Sequence, residues 1–452
     1  MKVVMRQNQN AVGTHDSFVQ AVLNLKAAKS DPSKPDSPYL YDEFVAAHLR
    51  TAHIQPDGRD LNDAHRGPAF FPWHRVFLVA FEEWLQFASG NPLLGLPYWD
   101  WSVDQSAFPW PQPSWPFIPS LVGGDGSSDP HVLGKVTDGQ FAYDARKDGD
   151  PKKWVLNVRT PGEAPYLRRR WGKDPDAPTL PTPADVQAAL SATPYDVAPF
   201  DDSSPSGFRN MAEGWIPKAP PPPHTHNRIH GYVGGSMEPM TSPNDPVFFL
   251  HHCFVDKLWA DWQAKHKNDV GYQPYLPPQG ARQGHNLYDY MPPWNTQQYH
   301  VRPVDVLDHR KLGYRYETED YLLPGEELYI GQWIWSANKK HYGFYGDQER
   351  VLWLGRVRDG KTIWQSDTTN QPPGRLYMRE DGNLVIYHID APGPQGKGNP
   401  YEPNPIWESK TPGHPGGFLR VLTSPPPNED SGYLALYDPG GRNYYWYVGG
   451  NV

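Results

Sequence analysis

His226-Asn227-Arg228-Ile229-His230 and, a little further on, Ser242-Pro243-Asn244-Asp245-Pro246-Val247-Phe248-Phe249-Leu250-His251-His252 decide how this chain is read. Residues four apart on a helix share one face. On a helix His226 and His230 therefore present both imidazoles in the same direction. A third nitrogen has to come from another element, and His251 or His252 can supply it. Asn244 or Asp245 is placed to cap that second helix, with Pro246 at its first position. Phe248, Val255, Leu258, Trp259 and Trp262 carry its apolar pattern onward.

An earlier window repeats the form. Of the 18 histidines, four lie in 48–74 (His48, His53, His65, His74) and five in 224–252 (His224, His226, His230, His251, His252). Tyr41, Phe44, Val45 and His48 fall at i, i+3, i+4 and i+7, one helical face. His65 follows in a loop. His74 opens a second helix whose stripe continues through Phe77, Leu78, Phe81 and Leu85. Two sets of three histidines point to two metal ions, because neutral imidazole is the commonest protein ligand for copper, zinc and iron. Sets without carboxylate or thiolate disfavour magnesium, calcium and iron–sulfur clusters and suit copper, with zinc the less specific alternative. No His-Glu-x-x-His is present, so a zinc protease reading has no support.

Composition bounds the rest. A chain of 452 residues has room for two to four domains. The net charge of -9 and pI near 6.0 argue against a nucleic-acid binder held by phosphate neutralisation. Mean hydropathy is -0.72 and no apolar run is long enough to span a membrane. Eighteen Trp and 26 Tyr supply ample core, while 52 Pro and 41 Gly indicate long loops. Cys253 is the sole cysteine, which excludes an internal disulfide framework and a Cys-rich zinc site. The opening MKVVMRQNQN has no apolar signal region, so the cytoplasm is the default expectation, with export by another route left open. Residues 1–300 read as helices separated by Pro/Gly loops, with 102–205 a long irregular insertion.

The histidine stretches, read at full length, resemble a known family. His65-Arg66-Gly67-Pro68-Ala69-Phe70-Phe71-Pro72-Trp73-His74-Arg75 with Glu82 is similar to the first copper motif of tyrosinases. His226-Asn227-Arg228-Ile229-His230, the Ser242–His252 stretch and Asp256-Lys257-Leu258-Trp259 resemble the second. Tyr41-Asp42-Glu43-Phe44 and Gly207-Phe208-Arg209-Asn210 with Glu213-Gly214-Trp215 are similar to bacterial members, and the resemblance covers about residues 10–317. It implies a four-helix bundle holding two copper ions, CuA on His48, His65 and His74 and CuB on His226, His230 and His252, with His251 beside the ligands. His53 competes with His48, and His224 is a weaker competitor in the second set. The resemblance also implies that Glu213 and Asn227 hold a water that takes the phenol proton. A Pro220–Pro223 run stands between Glu213 and His226. Gly231 and Phe248 fall where the family controls substrate access, and a glycine at 231 is expected to leave the approach open. Some members carry a Cys–His thioether two residues before the second CuA ligand. Asp63 stands there, so none is expected, and Cys253 is read as a buried helix residue.

After about residue 318 the texture changes to short aromatic and β-branched runs: Leu328–Ser336, Val351–Leu354, Leu376–Tyr377, Leu384–Tyr387, Tyr433–Tyr437 and Tyr444–Val448. Ile334-Trp335, Ile363-Trp364 and Ile406-Trp407 echo one another and suggest a pseudo-threefold β unit. The expected organisation is a dicopper helical domain over 1–318 and an all-β domain over 319–452. Leu307–Tyr316 resembles the tyrosine motif that closes the catalytic domain in fungal and plant enzymes. The tail resembles a bulb-type mannose-binding lectin, a β-prism. Its best sugar motif is Arg379-Glu380-Asp381-Gly382-Asn383-Leu384-Val385-Ile386-Tyr387, with Asp381, Asn383 and Tyr387 as motif residues and Arg379 where the family has Gln. The copy at Asp347, Glu349, Val351 and Trp353 has decayed, and so has the third around Tyr433–Tyr437. The tail is open to three readings: structural module, carbohydrate module, or lid over the copper cleft.

The function implied is a tyrosinase: two copper ions, O2 as co-substrate, and phenols as substrates. A copper-delivering helper protein and a carbohydrate at the C-terminal domain are the further partners expected, with no nucleic acid and no membrane. A catechol oxidase or o-aminophenol oxidase could use the same centre. From other classes, a haemocyanin-like O2 carrier or a lectin with a vestigial copper domain stay open.

Overall fold

The computed structural model describes residues 3–11, 15–54, 60–104, 115–216, 224–266, 271–275, 281–296, 299–346, 351–369, 371–372, 374–388, 405–424 and 430–450. Pro220–Pro223, Asp347 and Glu349 lie outside the described residues. The chain forms two compact units, one of Arg6–Leu312 and one of Gly313–Val452 together with Met1–Met5. The sequence put the change of texture at 318–319. The division falls earlier because strand β1 (Val4–Arg6) is the sheet partner of a strand at Tyr314–Tyr316, and Val4 and Met5 of β1 belong with that strand to the second unit.

The first unit is helical. Its helices are α1 (Asp16–Ala27), α2 (Leu40–Leu49), α3 (Phe70–Ser89), α4 (Trp101–Asp104), α5 (Pro183–Ser191), α6 (Phe208–Glu213), α7 (Thr225–Val233) and α8 (Val247–Lys265). A short hairpin of β2 (Ala52–Ile54) and β3 (Asp60–Asn62) follows α2. Helix α3 packs on α1 and α8, and α7 packs on α8. The expected stripe of α3, Phe77, Leu78, Phe81 and Leu85, is buried. The helix ends at Gly90, whose φ of 65° supplies the left-handed cap that a side chain disfavours. Tyr41, Phe44, Val45 and His48 of α2 are likewise buried. Helix α8 begins at Val247 with Pro246 at its N-cap position, one residue later than expected, and Asp245 Oδ1 accepts the Val247 amide at 3.2 Å.

Buried ion pairs tie these helices together. Arg6 bridges Glu82 of α3 and Asp256 of α8, and Arg75 meets the same Asp256 at 2.6 Å. The stretch expected to be irregular, 102–205, contains α5. Thr182 caps it and Asp185 returns the bond, a capping box with Pro183 at the first turn. The stretch also packs inward. Arg169 pairs with Asp245, and Trp154 lies edge-on to Tyr41 at 4.8 Å.

Among the described residues the regular structure of the second unit is all β. Beyond β1 and β4 (Tyr314–Tyr316), it has β5 (Tyr321–Leu322), β6 (Glu327–Leu328), β7 (Trp333–Trp335), β8 (His341–Tyr345), β9 (Leu352–Arg356) and β10 (Thr362–Gln365). It continues with β11 (Gly374–Met378), β12 (Leu384–His388), β13 (Trp407–Glu408), β14 (Phe418–Thr423), β15 (Gly432–Tyr437) and β16 (Tyr444–Gly450). Three four-stranded sheets have the orders β10-β9-β8-β7, β13-β12-β11-β6 and β16-β15-β14-β5, with antiparallel neighbours. Leucines from all three, Leu354, Leu376 and Leu434 among them, share one buried core. The run Leu328–Ser336 is not one strand: Gly331, at φ 84°, breaks it into β6 and β7. The threefold echo also differs from its expected membership. Trp364, Trp407 and Trp446, each on the first-named strand of its sheet, meet with ring centroids 5.9–6.4 Å apart. Trp335 packs on Tyr342 instead. No helix among the described residues is long and apolar enough to cross a membrane.

Candidate metal centre

Two histidine clusters form in the helical unit. His48 (α2), His65 (the loop before α3) and His74 (α3) make one. His226 and His230 (α7) with His251 and His252 (α8) make the other. Within each cluster one ligand atom per residue lies within 4.8 Å of all the rest. In the second, the Nε2 atoms of His226, His230 and His252 stand 3.1–3.4 Å from one another. His53 lies outside both clusters, on β2 with its Nδ1 3.7 Å from Asp63. His224 also lies outside them.

The orientation of the rings follows from what holds their other nitrogen. Nδ1 of His48 donates to Met240 O (2.7 Å), His74 to Phe70 O (2.8 Å) and His230 to Met237 O (2.6 Å). His65 donates to Asn62 Oδ1 (3.0 Å) and His226 to Asn227 Oδ1 (2.9 Å). An oxygen that can only accept forces the proton onto Nδ1 and leaves the Nε2 lone pair free. Nε2 of His48 and of His74 is buried without a hydrogen-bond partner. Such atoms are costly unless something else binds them, so the donor set fits metal ions.

Burial keeps these imidazoles neutral. It pulls His48 down to about 3 and His230 to about 4, and carries His65, His74, His226 and His252 well below the ordinary range. Neutral imidazole is the form that binds metal. His251 differs in its second nitrogen: Nδ1 accepts the Trp101 indole N–H at 3.1 Å, and the ring stacks on His226. Phe248 stands between the clusters, stacked on His252 at 4.0 Å and edge-on to His48 at 5.1 Å.

Glu213 and Asn227 come together beside His226. Glu213 O lies 3.3 Å from His226 Nδ1. The glycine at 214 is required, since a Cβ there would sit 2.1 Å from His224 O and 3.1 Å from Asn227 Cβ, at φ 107°. The Glu213 carboxylate is fully buried. Oε1 accepts the Arg66 amide at 2.6 Å, and Oε2 accepts Arg209 Nη1 at 3.1 Å. Burial pushes its pKa up, and the Arg209 guanidinium opposes that rise. Gly231 corrects the expectation of an open approach. It is buried, and a Cβ there would lie 2.8 Å from both Ala177 Cβ and Asp174 Oδ2, because the inserted stretch packs on it.

Residues 38–265 match the family model described as the common central domain of tyrosinase. The chain is 39% identical over 319 residues to a tyrosinase of Streptomyces glaucescens, covering 70% of this chain and 100% of that protein. The chain belongs to the tyrosinase family. It is a copper-dependent oxidoreductase, and the cofactor of the family is a pair of copper ions. A tyrosinase of Streptomyces antibioticus is 38% identical over 311 residues, covering 68% of this chain and 98% of its own. Among solved structures, a monomeric mannose-binding lectin from Gastrodia elata aligns at 22% identity and TM-score 0.22, over 30% of this chain and 100% of that one.

In the β unit the motif residues bind one another. Arg379 pairs with Asp381 at 2.9 Å and donates to Tyr387 Oη at 3.0 Å. Asn383 Oδ1 accepts from Ser409 Oγ and the Thr411 amide, each at 2.9 Å. The sequence reading missed Asn62, Met237, Met240 and Trp101 as supports of the histidines. Of these only Asn62 left a trace, an amide three residues before His65 in a loop.

Proposed function

We propose that the tyrosinase chemistry of this chain is ortho-hydroxylation of monophenols and oxidation of o-diphenols to o-quinones by O2. It runs at His48, His65 and His74 for one copper and at His226, His230 and His252 for the other. The observation that carries the reading is the fixed tautomer: five of these six rings give Nδ1–H to a protein oxygen, leaving Nε2 for metal. His252 is preferred to His251 because its Nε2 stands with those of His226 and His230, whereas the Trp101 indole N–H donates to His251 Nδ1 and so places that ring's proton on Nε2. Helices α2, α3, α7 and α8, which carry five of the six, are read as a four-helix bundle.

Bound copper supplies the redox centres that activate O2. The chain's own residues do the rest. Phe248, fully buried, packs a ring of each set in place, stacked on His252 and edge-on to His48. Asn227, whose Oδ1 orients His226, has its Nδ2 left to hold a water. With Glu213 as the neighbouring carboxylate, that water takes the phenol proton. Per monophenol, one O2 is consumed and one o-quinone and one water are released.

The C-terminal unit is read as a β-prism whose sugar motif is closed by Arg379, and copper loading is assigned to a separate delivery protein. The test is oxygen uptake by the copper-loaded chain with a monophenol and, separately, an o-diphenol, before and after limited proteolysis near residue 318. Turnover of both is the expected result. Turnover of the diphenol alone removes Glu213 and Asn227 from the mechanism, and reversible O2 binding without turnover overturns the assignment. A rise after cleavage would mark the C-terminal unit as a lid.

A further inference from the structure

We propose that Asn62 is a positioning residue for the copper site, fixing the ring and tautomer of His65 through its side-chain amide. The inference rests on the reading of His65 as a copper ligand. His48 and His74 stand on helices and give Nδ1–H to backbone carbonyls. His65 stands in a loop, is only half-buried, and is followed by Arg66 at φ 57°, a strained position for a side chain. The oxygen that receives its Nδ1–H belongs to a side chain, Asn62 Oδ1, at 3.0 Å. Asp63, one residue nearer, turns towards His53.

The Asn62 amide is itself held from several sides. Asn62 is 8% exposed, and Oδ1 also accepts the Ala64 amide at 3.0 Å. Two N–H groups converging on one atom identify it as the oxygen. Nδ2 points to Met240 Sδ at 3.5 Å, and Met240 is the residue whose carbonyl orients His48. Arg282 Nη2 donates to the Asn62 carbonyl and to His65 O, fixing the backbone on either side. Asn62 and Met240 thus hold two of the three rings of this set. Without the Oδ1 acceptor, His65 is free to turn its ring and exchange tautomers, and loss of such an outer partner typically weakens metal binding about 10–100-fold.

The test compares copper release from the copper-loaded full chain to excess EDTA in wild type, Asn62→Ser, Asn62→Asp and His65→Ala. Serine is too short to reach His65 but still accepts the Ala64 amide, so the turn survives. Aspartate keeps both acceptor contacts. The expected result is that Asn62→Ser releases one of its two coppers about 10–100-fold faster than wild type. The other should leave at the wild-type rate, the apoprotein should keep its melting temperature, and Asn62→Asp should hold both ions. Wild-type release of both ions from Asn62→Ser overturns the proposal. So does equal acceleration of both with a lowered apoprotein melting temperature, which would make Asn62 a turn residue only. His65→Ala that still binds two coppers would refute the ligand reading beneath it, an outcome distinct from either.

Discussion

Replacing Arg209 by methionine tests the base assembly at its support. Arg209 is fully buried between two carboxylates, 2.7 Å from Asp196 and 3.1 Å from Glu213, and it also donates to Asn210 Oδ1 and Asp201 O. Methionine fills much of the volume and removes the charge. Truncating one member of a buried pair costs about 3–5 kcal/mol because the partner is left uncompensated, against a typical total stability of about 5–15 kcal/mol. The two carboxylates can escape part of that cost by taking up protons. Burial already pushes Glu213 upward, and Arg209 is the first of the groups holding it down, so its loss drives Glu213 further towards the neutral acid. A neutral Glu213 cannot help a water accept the phenol proton. Monophenol turnover in Arg209→Met should therefore fall at neutral pH and recover at higher pH, with diphenol turnover much less affected. Paired oxygen-uptake profiles against pH, with denaturant unfolding of the same preparations, read both effects. A folded variant, destabilised as calculated but with an unshifted acid limb for the monophenol, would refute the coupling of Arg209 to Glu213.

Three further outcomes follow from the same structure. The apoprotein should be acid-labile: His48 at about 3 and His230 at about 4, against 6.5 for a free imidazole, are neutral when folded and protonated when unfolded. Stability is then full above about pH 6.5 and falls with pH, by about 2 kcal/mol per histidine at pH 5; copper should protect, as denaturant titrations followed by tryptophan fluorescence would show. Asp104, raised by burial to about 6 from 3.8, runs the opposite way, its ionisation destabilising the fold as pH rises through that window. Asp104→Asn keeps an acceptor for the Trp99 indole and should gain about 3 kcal/mol at pH 7 and nothing below pH 4. Gly214→Ala forces a Cβ against His224 O at a positive φ, so it should lose at least about 1–3 kcal/mol from strain alone. Because the residue follows Glu213 directly and packs against His224 and Asn227, the variant should also bind less copper per chain, measured by metal analysis.

What could be read in advance differs by residue for a physical reason. His226 and His230 were legible because helical geometry alone puts positions four apart on one face, and the buried stripe of α3 followed from the same period. Helix α5 was equally readable from Thr182-Pro183-Ala184-Asp185, but the Pro-rich surroundings outweighed it. Gly231 was misjudged because a glycine removes its own side chain without saying whose fills the space, and here Ala177 and Asp174 do, from a stretch far away in the chain. Trp446 escaped the threefold pattern because it lacks the Ile-Trp context, although its sheet position matches that of Trp364 and Trp407.

The supports of the histidines were illegible for a deeper reason. Met237 and Met240 act through backbone carbonyls, which every residue has, so their side-chain identities carry no signal of the role. Yet these two carbonyls, three residues apart, hold one ring from each cluster. A shift of the Gly234–Thr241 segment would turn His230 and His48 together. The α7–α8 connection is thus part of the metal site even though it supplies no metal-binding side chain, because its turn geometry sets the orientation of one ring in each cluster.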